Sequence, residues 1–408
     1  MKKEFITVFE KETTLKIQSA KIDAIRTKDI VKKGVRVFED GKIGISGAIG
    51  EVDDQVLVER ATENLVTDIE YPFDLQRGPV DHRNYNQTPL TTEALLSHTE
   101  NILKELRENY SEFDFSETVS IKQMGTHMYN SEGLDVKYED ATFELGLILK
   151  EKGGPNLFDG FLAYYGRTFD ESKFWNQNKE ILNAYRNKVE LPVEEKLPVF
   201  FIGFDTLTGL LTRSLNGELY ATGSSLFNGK IGEKLFNEKV NIYQWGNPKQ
   251  KFSPFFDREG CILPEEKLAL VENGKLVNVF TDKKVAKMYN LPHTSAASGE
   301  YDGMPALSGT ALRLDIDSED IVKTLDGKKA ILVVISSGGD FTPDGDFAAP
   351  VQVSFLFDGK KILGKLPEFN IQSNLYKMLG DDYIGTFENP LYYGEESTME
   401  GYYMAISK

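Results

Sequence analysis

The sequence predicts an α+β protein, with a mixed α/β N-terminal domain over residues 1–190 and a mainly antiparallel β C-terminal domain over residues 191–408. Three observations carry this. Apolar spacing switches repeatedly between strand alternation and helical i, i+4 rows. Asp-Gly and Asn-Gly turn signals gather beside β-type runs in the second half. The 408 residues exceed one ordinary domain, and RNKVELPVEEKLP at 186–198, with two prolines, three acids and three bases, is the strongest boundary signal.

Taken in order, Val35, Val37, Ile43 and Ile45 alternate around Asp40-Gly41, a two-residue hairpin turn. Asp53 and Asp54 then precede the row Leu57, Ala61, Leu65, with acids at its start as a helix N-terminus prefers. The evenly spaced Gly44, Gly47 and Gly50 suit a turn after a strand. Residues 71–90, rich in Pro, Asn and Asp, read as a long loop. An amphipathic helix follows from about Thr91 to Tyr110, with Leu96, Leu103 and Leu106 on one side. Strand patterns return at 117–124 and 142–149, and Phe174, Trp175, Ile181, Leu182 and Tyr185 mark a third helix with Asp170 near its start.

Beyond the boundary the apolar run 199–204 reads as a strand, and hairpins dominate. Asn273-Gly274, Asp326-Gly327 and Asp358-Gly359 each adjoin β-type runs. The tripeptide Asp/Asn-Gly-Lys recurs at 40–42, 228–230, 273–275, 326–328 and 358–360; unequal spacings make it repeated turn chemistry rather than a structural repeat.

Composition narrows the function. With 64 acidic against 47 basic side chains the net charge is −17, the wrong sign for a protein that coats nucleic acid. No stretch approaches the roughly 20 apolar residues that span a bilayer, and no apolar run follows the N-terminal lysines, so a soluble cytoplasmic protein is expected, with neither nucleic acid nor membrane as partner. One cysteine, Cys261, excludes a disulfide framework and a Cys-rich zinc ribbon.

The catalytic motifs sought are mostly missing. His82, His98, His127 and His293 have no paired helical spacing, so a zinc site needs distant single histidines plus carboxylates; surface or hydrogen-bonded histidines are the simpler reading. Cys261 beside Ile262 and Leu263 reads as a small buried side chain. Gly223-Ser224-Ser225 is not the nucleophile elbow, and neither a phosphate loop nor a dinucleotide fingerprint is present. The acidic runs Asp340, Asp344, Asp346 and Asp315, Asp317, Glu319, Asp320 read as solvated loops, although a hydrolase built on the first run remains a third hypothesis.

An ordered set of short motifs adds a family reading. Ser225, Gly229, Gly232 and Glu233 are followed by Phe256, Asp257, Glu259 and Gly260, then by Asn273, Gly274, Thr281, Ala286 and Leu291. With GDFTPDGDFAAPVQVSFLFDGKKILGK and NLYKMLG near the end, these resemble the C-terminal domain of the TldD/PmbA (TldE) family, also called modulators of DNA gyrase. GVRVFEDGKIGIS and NSEGLDVKYED resemble its N-terminal elements. One segment departs from the family pattern: Gln244-Trp245-Gly246-Asn247-Pro248 stands where an acidic Asp-Asp-Pro type is expected.

The resemblance implies a peptidase family in which TldD subunits carry H-E-x-x-x-H on a helix. Its histidines bind zinc, its glutamate activates water, and a later cysteine completes the site. The matching positions here are Thr212, Arg213 and Gly217, and no cysteine follows Cys261. The chain thus resembles the TldE/PmbA type, a non-catalytic subunit paired with a TldD-like zinc subunit that acts on flexible or unfolded peptides. No cofactor is expected in this chain, the zinc being expected in the partner. Ser224, Ser225, Asn228 and Gly229 are expected as substrate-binding wall residues. The alternative is a homodimer that binds peptides as a scaffold, without protease activity.

Overall fold

The computed structural model describes every residue except 87–89, 155–157, 204, 319, 390–396 and 408. The end of the predicted strand at Phe204 and the Glu319 member of one acidic run lie outside the described residues.

The first half is built on a seven-stranded sheet. In chain order it comprises β1 (Lys2–Gln18), β2 (Lys21–Glu39), β3 (Lys42–Ile49), α1 (Asp54–Glu63), β4 (Val80–Asn84), α2 (Thr92–Asn109), β5 (Phe113–Asn130), β6 (Asp135–Glu151), β7 (Gly160–Gly166) and α3 (Glu171–Arg186). The sheet order is β3-β2-β1-β5-β6-β4, with β7 also on β6. All neighbours are antiparallel except β4, which runs parallel to β6.

All three predicted helices form, each opened by an aspartate or threonine that caps it: Asp53, Thr91 and Asp170 accept hydrogen bonds from first-turn amides. The Asp40-Gly41 turn joins β2 to β3, both residues at positive φ. Three expectations need correction. The predicted loop 71–90 contains β4, whose charged, exposed sequence Val-Asp-His-Arg-Asn lacks an apolar alternation to announce it. The strands around 117–124 and 142–149 extend to 18 and 17 residues, because their polar continuations pair as regularly as their apolar centres. Gly44 and Gly47 lie inside β3, where an added β-carbon would fall 2.0 Å from the Ala61 carbonyl oxygen and 2.3 Å from Asp302 Cβ. They are sites of close approach, not a turn.

The second half comprises β8 (Lys196–Ile202), α4 (Asp205–Ser214), α5 (Gly217–Ala221), β9 (Ile242–Trp245), α6 (Pro248–Lys251), β10 (Lys267–Glu272), β11 (Lys275–Leu276), α7 (Lys283–Tyr289), β12 (Ala297–Ser298), β13 (Ala306–Leu307) and β14 (Leu312–Leu314). It continues with α8 (Ile321–Leu325), β15 (Ala330–Ile335), β16 (Asp340–Phe341), β17 (Asp346–Val351), β18 (Val353–Phe357), β19 (Ile362–Lys365), β20 (Phe369–Asn374), α9 (Leu375–Met378), β21 (Tyr383–Glu388) and β22 (Thr398–Ser407). A nine-stranded sheet runs β16-β17-β20-β22-β8-β15-β18-β19, with β21 on β22, and a smaller one runs β11-β10-β9-β14. Pairing is antiparallel except between β8 and β15.

All five Asp/Asn-Gly-Lys glycines take positive φ, as turn chemistry requires. Asp326-Gly327, however, ends α8 rather than closing a hairpin, its aspartate serving as the left-handed helix cap.

The two halves share one core. On β8, Phe200 joins the cluster containing Leu103, Phe143, Phe174 and Tyr185 of the first half, while Val199 and Phe201 face a second cluster. The nine-stranded sheet is therefore buried on both faces, which is why its strands read as continuous apolar runs. Helices α2 and α3 pack between the two sheets, with Tyr185 edge-on to Phe355 at 5.1 Å. Each such aromatic contributes about 2–3 kcal/mol by burial. The buried Arg36 adds a polar tie: Nη1 donates to Glu4 Oε1 at 2.9 Å and to the Arg258 carbonyl at 2.7 Å, and Nε donates to the Gly303 carbonyl. Residues 187 and 189 exchange backbone hydrogen bonds with Lys365 at the end of β19.

Candidate functional site

The helix at the expected metal-motif positions is α4, with α5 immediately after it. Thr212 is half-buried, and its Cγ2 lies 3.3 Å from where a β-carbon on Gly309 would sit. Arg213 is exposed and shares a small cavity of about 80 Å³ with Ser224 and Phe341. Gly217 is buried, and a β-carbon there would meet Thr281 Cγ2 at 2.7 Å and the Phe280 carbonyl oxygen at 2.8 Å. The hydroxyl, guanidinium and bare backbone at these three positions do not make a zinc-binding set, and no imidazole fits at residue 217 without moving α5.

The expected wall residues separate into two kinds. Ser225 is buried; its Oγ donates to the Ser214 carbonyl and accepts from the Phe227 amide, fixing the turn after α5. Ser224, Asn228 and Gly229 are exposed, Gly229 with φ of 71° in a turn.

A larger cavity of about 370 Å³ opens between β9, the 251–263 loop and the segments flanking the β12–β13 hairpin. Gly309, the neighbour of Thr212, lines it, so the motif helix backs onto this space. Three lining residues keep a buried polar atom with no hydrogen-bond partner: Gln244 Oε1, Trp245 Nε1 and Ser253 Oγ. Gln244 is 2% exposed, and its Nε2 is held by the Thr294 and Ser295 carbonyls at 2.6 and 3.1 Å. Each unsatisfied group costs about 1–3 kcal/mol, so the wall of this cavity carries a local energetic cost. The neighbouring β14 is the edge strand of its sheet. Sequence reasoning missed this cavity, although the segment that departs from the family pattern, Gln244–Pro248, contributes its wall.

The ionisable groups beside it do not form a reactive pair. Burial pushes the Cys261 thiol well up, leaving it protonated at neutral pH. Burial pushes the Lys251 ammonium down, opposed by Asp257; its Nζ donates to the Pro254 carbonyl. Burial also raises Asp257 to about 6, against hydrogen bonds from the Cys261, Ala297 and Glu259 amides. For Glu259 burial acts upward too, but His293 and Tyr71 outweigh it and the carboxyl lies below its ordinary range. Asp257, Glu259, Cys261 and His293 bring ligand atoms within 4.8 Å of one another. Their oxygens are already committed: Asp257 to three amides, Glu259 to Tyr71 Oη at 2.6 Å and to the Lys283 amide. This group ties the 257–261 turn to Tyr71, whose amide donates to the Gly41 carbonyl in the β2–β3 turn of the first sheet. A second group, His82, His127 and Asp135, lies on that sheet.

Comparison with known proteins agrees with the motif reading. The family described as PmbA/TldA metallopeptidase C-terminal domain matches residues 202–391. Residues 202–391 are thus similar to the C-terminal domain of the TldD/PmbA family. An uncharacterized protein of Methanocaldococcus jannaschii is 26% identical over 372 residues, covering 88% of this chain and 86% of its own. A metalloprotease TldD homolog of Buchnera aphidicola is 30% identical over 181 residues, 41% of this chain and 36% of that one. The fold matches TldE from Thermococcus kodakarensis with a TM-score of 0.75 at 18% identity, covering 100% of this chain and 97% of that one. It also matches a protein described as a modulator of a DNA gyrase from Thermotoga maritima, with a TM-score of 0.75 at 17% identity and 100% and 96% coverage. These two structures share the α+β architecture of this chain. Among the described residues no helix is long and apolar enough to cross a membrane.

Proposed function

We propose that this chain is the TldE/PmbA-like, non-catalytic subunit of a TldD-type peptidase complex, holding flexible peptide for a partner that carries the catalytic zinc. The observation that carries the reading is Gly217. In the position expected to supply a zinc ligand stands a residue whose side-chain space is filled by Thr281 and the Phe280 carbonyl. The bound zinc of such a peptidase activates water for peptide hydrolysis; in this chain, Thr212, Arg213 and Gly217 supply no part of that chemistry.

What the chain supplies is a binding wall. An extended peptide added to the β14 edge satisfies its main-chain groups on that strand. Its polar groups then meet the wall of the adjacent cavity, to which Gln244, Trp245 and Ser253 contribute. Recognition of backbone rather than side chains suits substrates that are unfolded and varied in sequence.

The experiment is to purify this chain alone, and together with a TldD-like subunit bearing H-E-x-x-x-H, and to follow cleavage of unstructured peptides. Zinc-dependent cleavage by the pair and none by this chain alone is expected. Cleavage by this chain alone overturns the proposal. Peptide binding by a homodimer that never associates with a TldD-like chain replaces it with the scaffold alternative.

A further inference from the structure

A second constellation lies on the first sheet, remote in sequence from the motif helix. His82 on β4 and His127 on β5 both stand opposite Lys137 of the intervening β6, and Asp135 is two residues earlier on that strand. Strand periodicity therefore puts all three side chains on one face. His82 Nε2 lies 2.8 Å and His127 Nε2 2.7 Å from the same atom, Asp135 Oδ1. The imidazole planes meet at 81°, with centroids 5.8 Å apart, so the two ring nitrogens approach the carboxylate from different directions.

We propose that His82 Nε2, His127 Nε2 and the Asp135 carboxylate form a binding site for one divalent transition-metal ion of the zinc class, with its fourth position open to water or to a ligand.

The donor set is chemically apt: two imidazoles and one carboxylate suit borderline ions such as Zn²⁺ and Co²⁺. The geometry is close to what such an ion needs. Tetrahedral bonds of about 2.0–2.1 Å separate ligand atoms by roughly 3.3 Å, so an ion asks each imidazole nitrogen to move about half an ångström from Asp135 Oδ1. The ligands sit on three hydrogen-bonded strands, which hold them ready rather than leaving assembly to a loop.

The surroundings agree with a cation. Both imidazoles direct Nε2 at the one Asp135 carboxylate, so the three groups converge on a single point. Lys137, the one cation between the two histidines in register, directs its ammonium to Glu139 at 2.9 Å. The His127 ring packs beside Tyr129 at 5.2 Å, and Tyr129 Oη donates to Asp54 Oδ2 at 3.2 Å, which restrains the imidazole from behind. The side chains are 48%, 33% and 38% exposed, so an ion reaches the site and a fourth ligand has room. This site is independent of the motif-helix reading, and the catalytic zinc proposed for the partner plays no part in it.

The test uses the untagged full chain, stripped with chelator, titrated with Co²⁺ by visible absorption and with Zn²⁺ against a chromophoric chelator. One equivalent is expected to bind. His82→Ala, His127→Ala and Asp135→Asn should each weaken affinity by about 100-fold or more, whereas His293→Ala, in the other cluster, should change nothing. In the wild-type chain, Co²⁺ should shift the His82 and His127 imidazole resonances; this readout needs no variant to fold. Absence of binding, loss of binding on His293→Ala instead, or unshifted His82 and His127 resonances would each overturn the proposal and leave a hydrogen-bonded His–Asp–His triad.

Discussion

The Gly217 amide donates to the Phe280 carbonyl at 2.9 Å, and a β-carbon on Gly217 would stand 2.8 Å from that same oxygen. One contact thus ties α5 to the strand-like segment before α7 and closes the position to any larger side chain. No imidazole fits at residue 217 unless the surrounding structure opens.

Gly217→Ala should therefore destabilise the fold by about 1–3 kcal/mol, through overpacking alone, since Gly217 has no positive φ to lose. The triple change Thr212→His, Arg213→Glu, Gly217→His should lower the melting temperature further and create no zinc-dependent peptidase. A stable, zinc-binding triple variant would show that the helix retains a usable site.

Ser225→Ala should also act on stability rather than on substrate. Its Oγ joins the Ser214 carbonyl to the Phe227 amide inside the fold, so removal leaves buried groups unpaired at a cost of about 1–3 kcal/mol. Denaturation midpoints should fall while the KM of the reconstituted pair for peptide stays unchanged. Ser224→Ala, at an exposed position, should leave the midpoint where it was.

What could be read in advance follows from where the signal is local. Capping aspartates, turn glycines and apolar rows act over a few neighbours, so the three helices at Asp54, Thr92 and Glu171 and the Asp40-Gly41 hairpin were legible. The strand β4 was not, because its reason for existing is β6, about 50 residues away, rather than its own sequence. The same holds for His82, His127 and Asp135: nothing in the 45-residue gap between the histidines foretells a meeting produced by one parallel and one antiparallel pairing. The cavity was half visible. The neutral Gln244–Pro248 segment stood out as a departure from the family pattern, but only the fold brings Ser253 and Gly309 to it.

Ser308 offers a direct handle on that cavity. It is exposed, lines the space beside Gly309, and lies outside the core clusters. Ser308→Trp should occlude the mouth without disturbing the interior. In the pair with a TldD-like subunit, we expect peptide affinity to fall by about tenfold or more, with unchanged melting temperature and unchanged subunit association. Full peptide affinity in that variant would move the substrate path elsewhere.

Asp257 gives a pH signature with a definite sign. Burial lifts its carboxyl from an ordinary 3.8 to about 6 even though three backbone amides point at it. A group whose folded value is raised favours the native state while it is protonated. Its contribution is complete below about pH 4 and is lost as pH rises through about 6, a change of up to about 3 kcal/mol. Glu259 works the other way, its folded value being lowered, so the wild-type stability curve mixes the two. Asp257→Asn separates them, because the amide is neutral throughout. Denaturant unfolding of both proteins at pH 4.5 and pH 7 should show the wild type losing ground relative to Asp257→Asn as pH rises. An equal stability difference at both pH values would mean that Asp257 ionises as it does in the unfolded chain, and that the 257–261 turn holds a solvated carboxylate rather than a buried one.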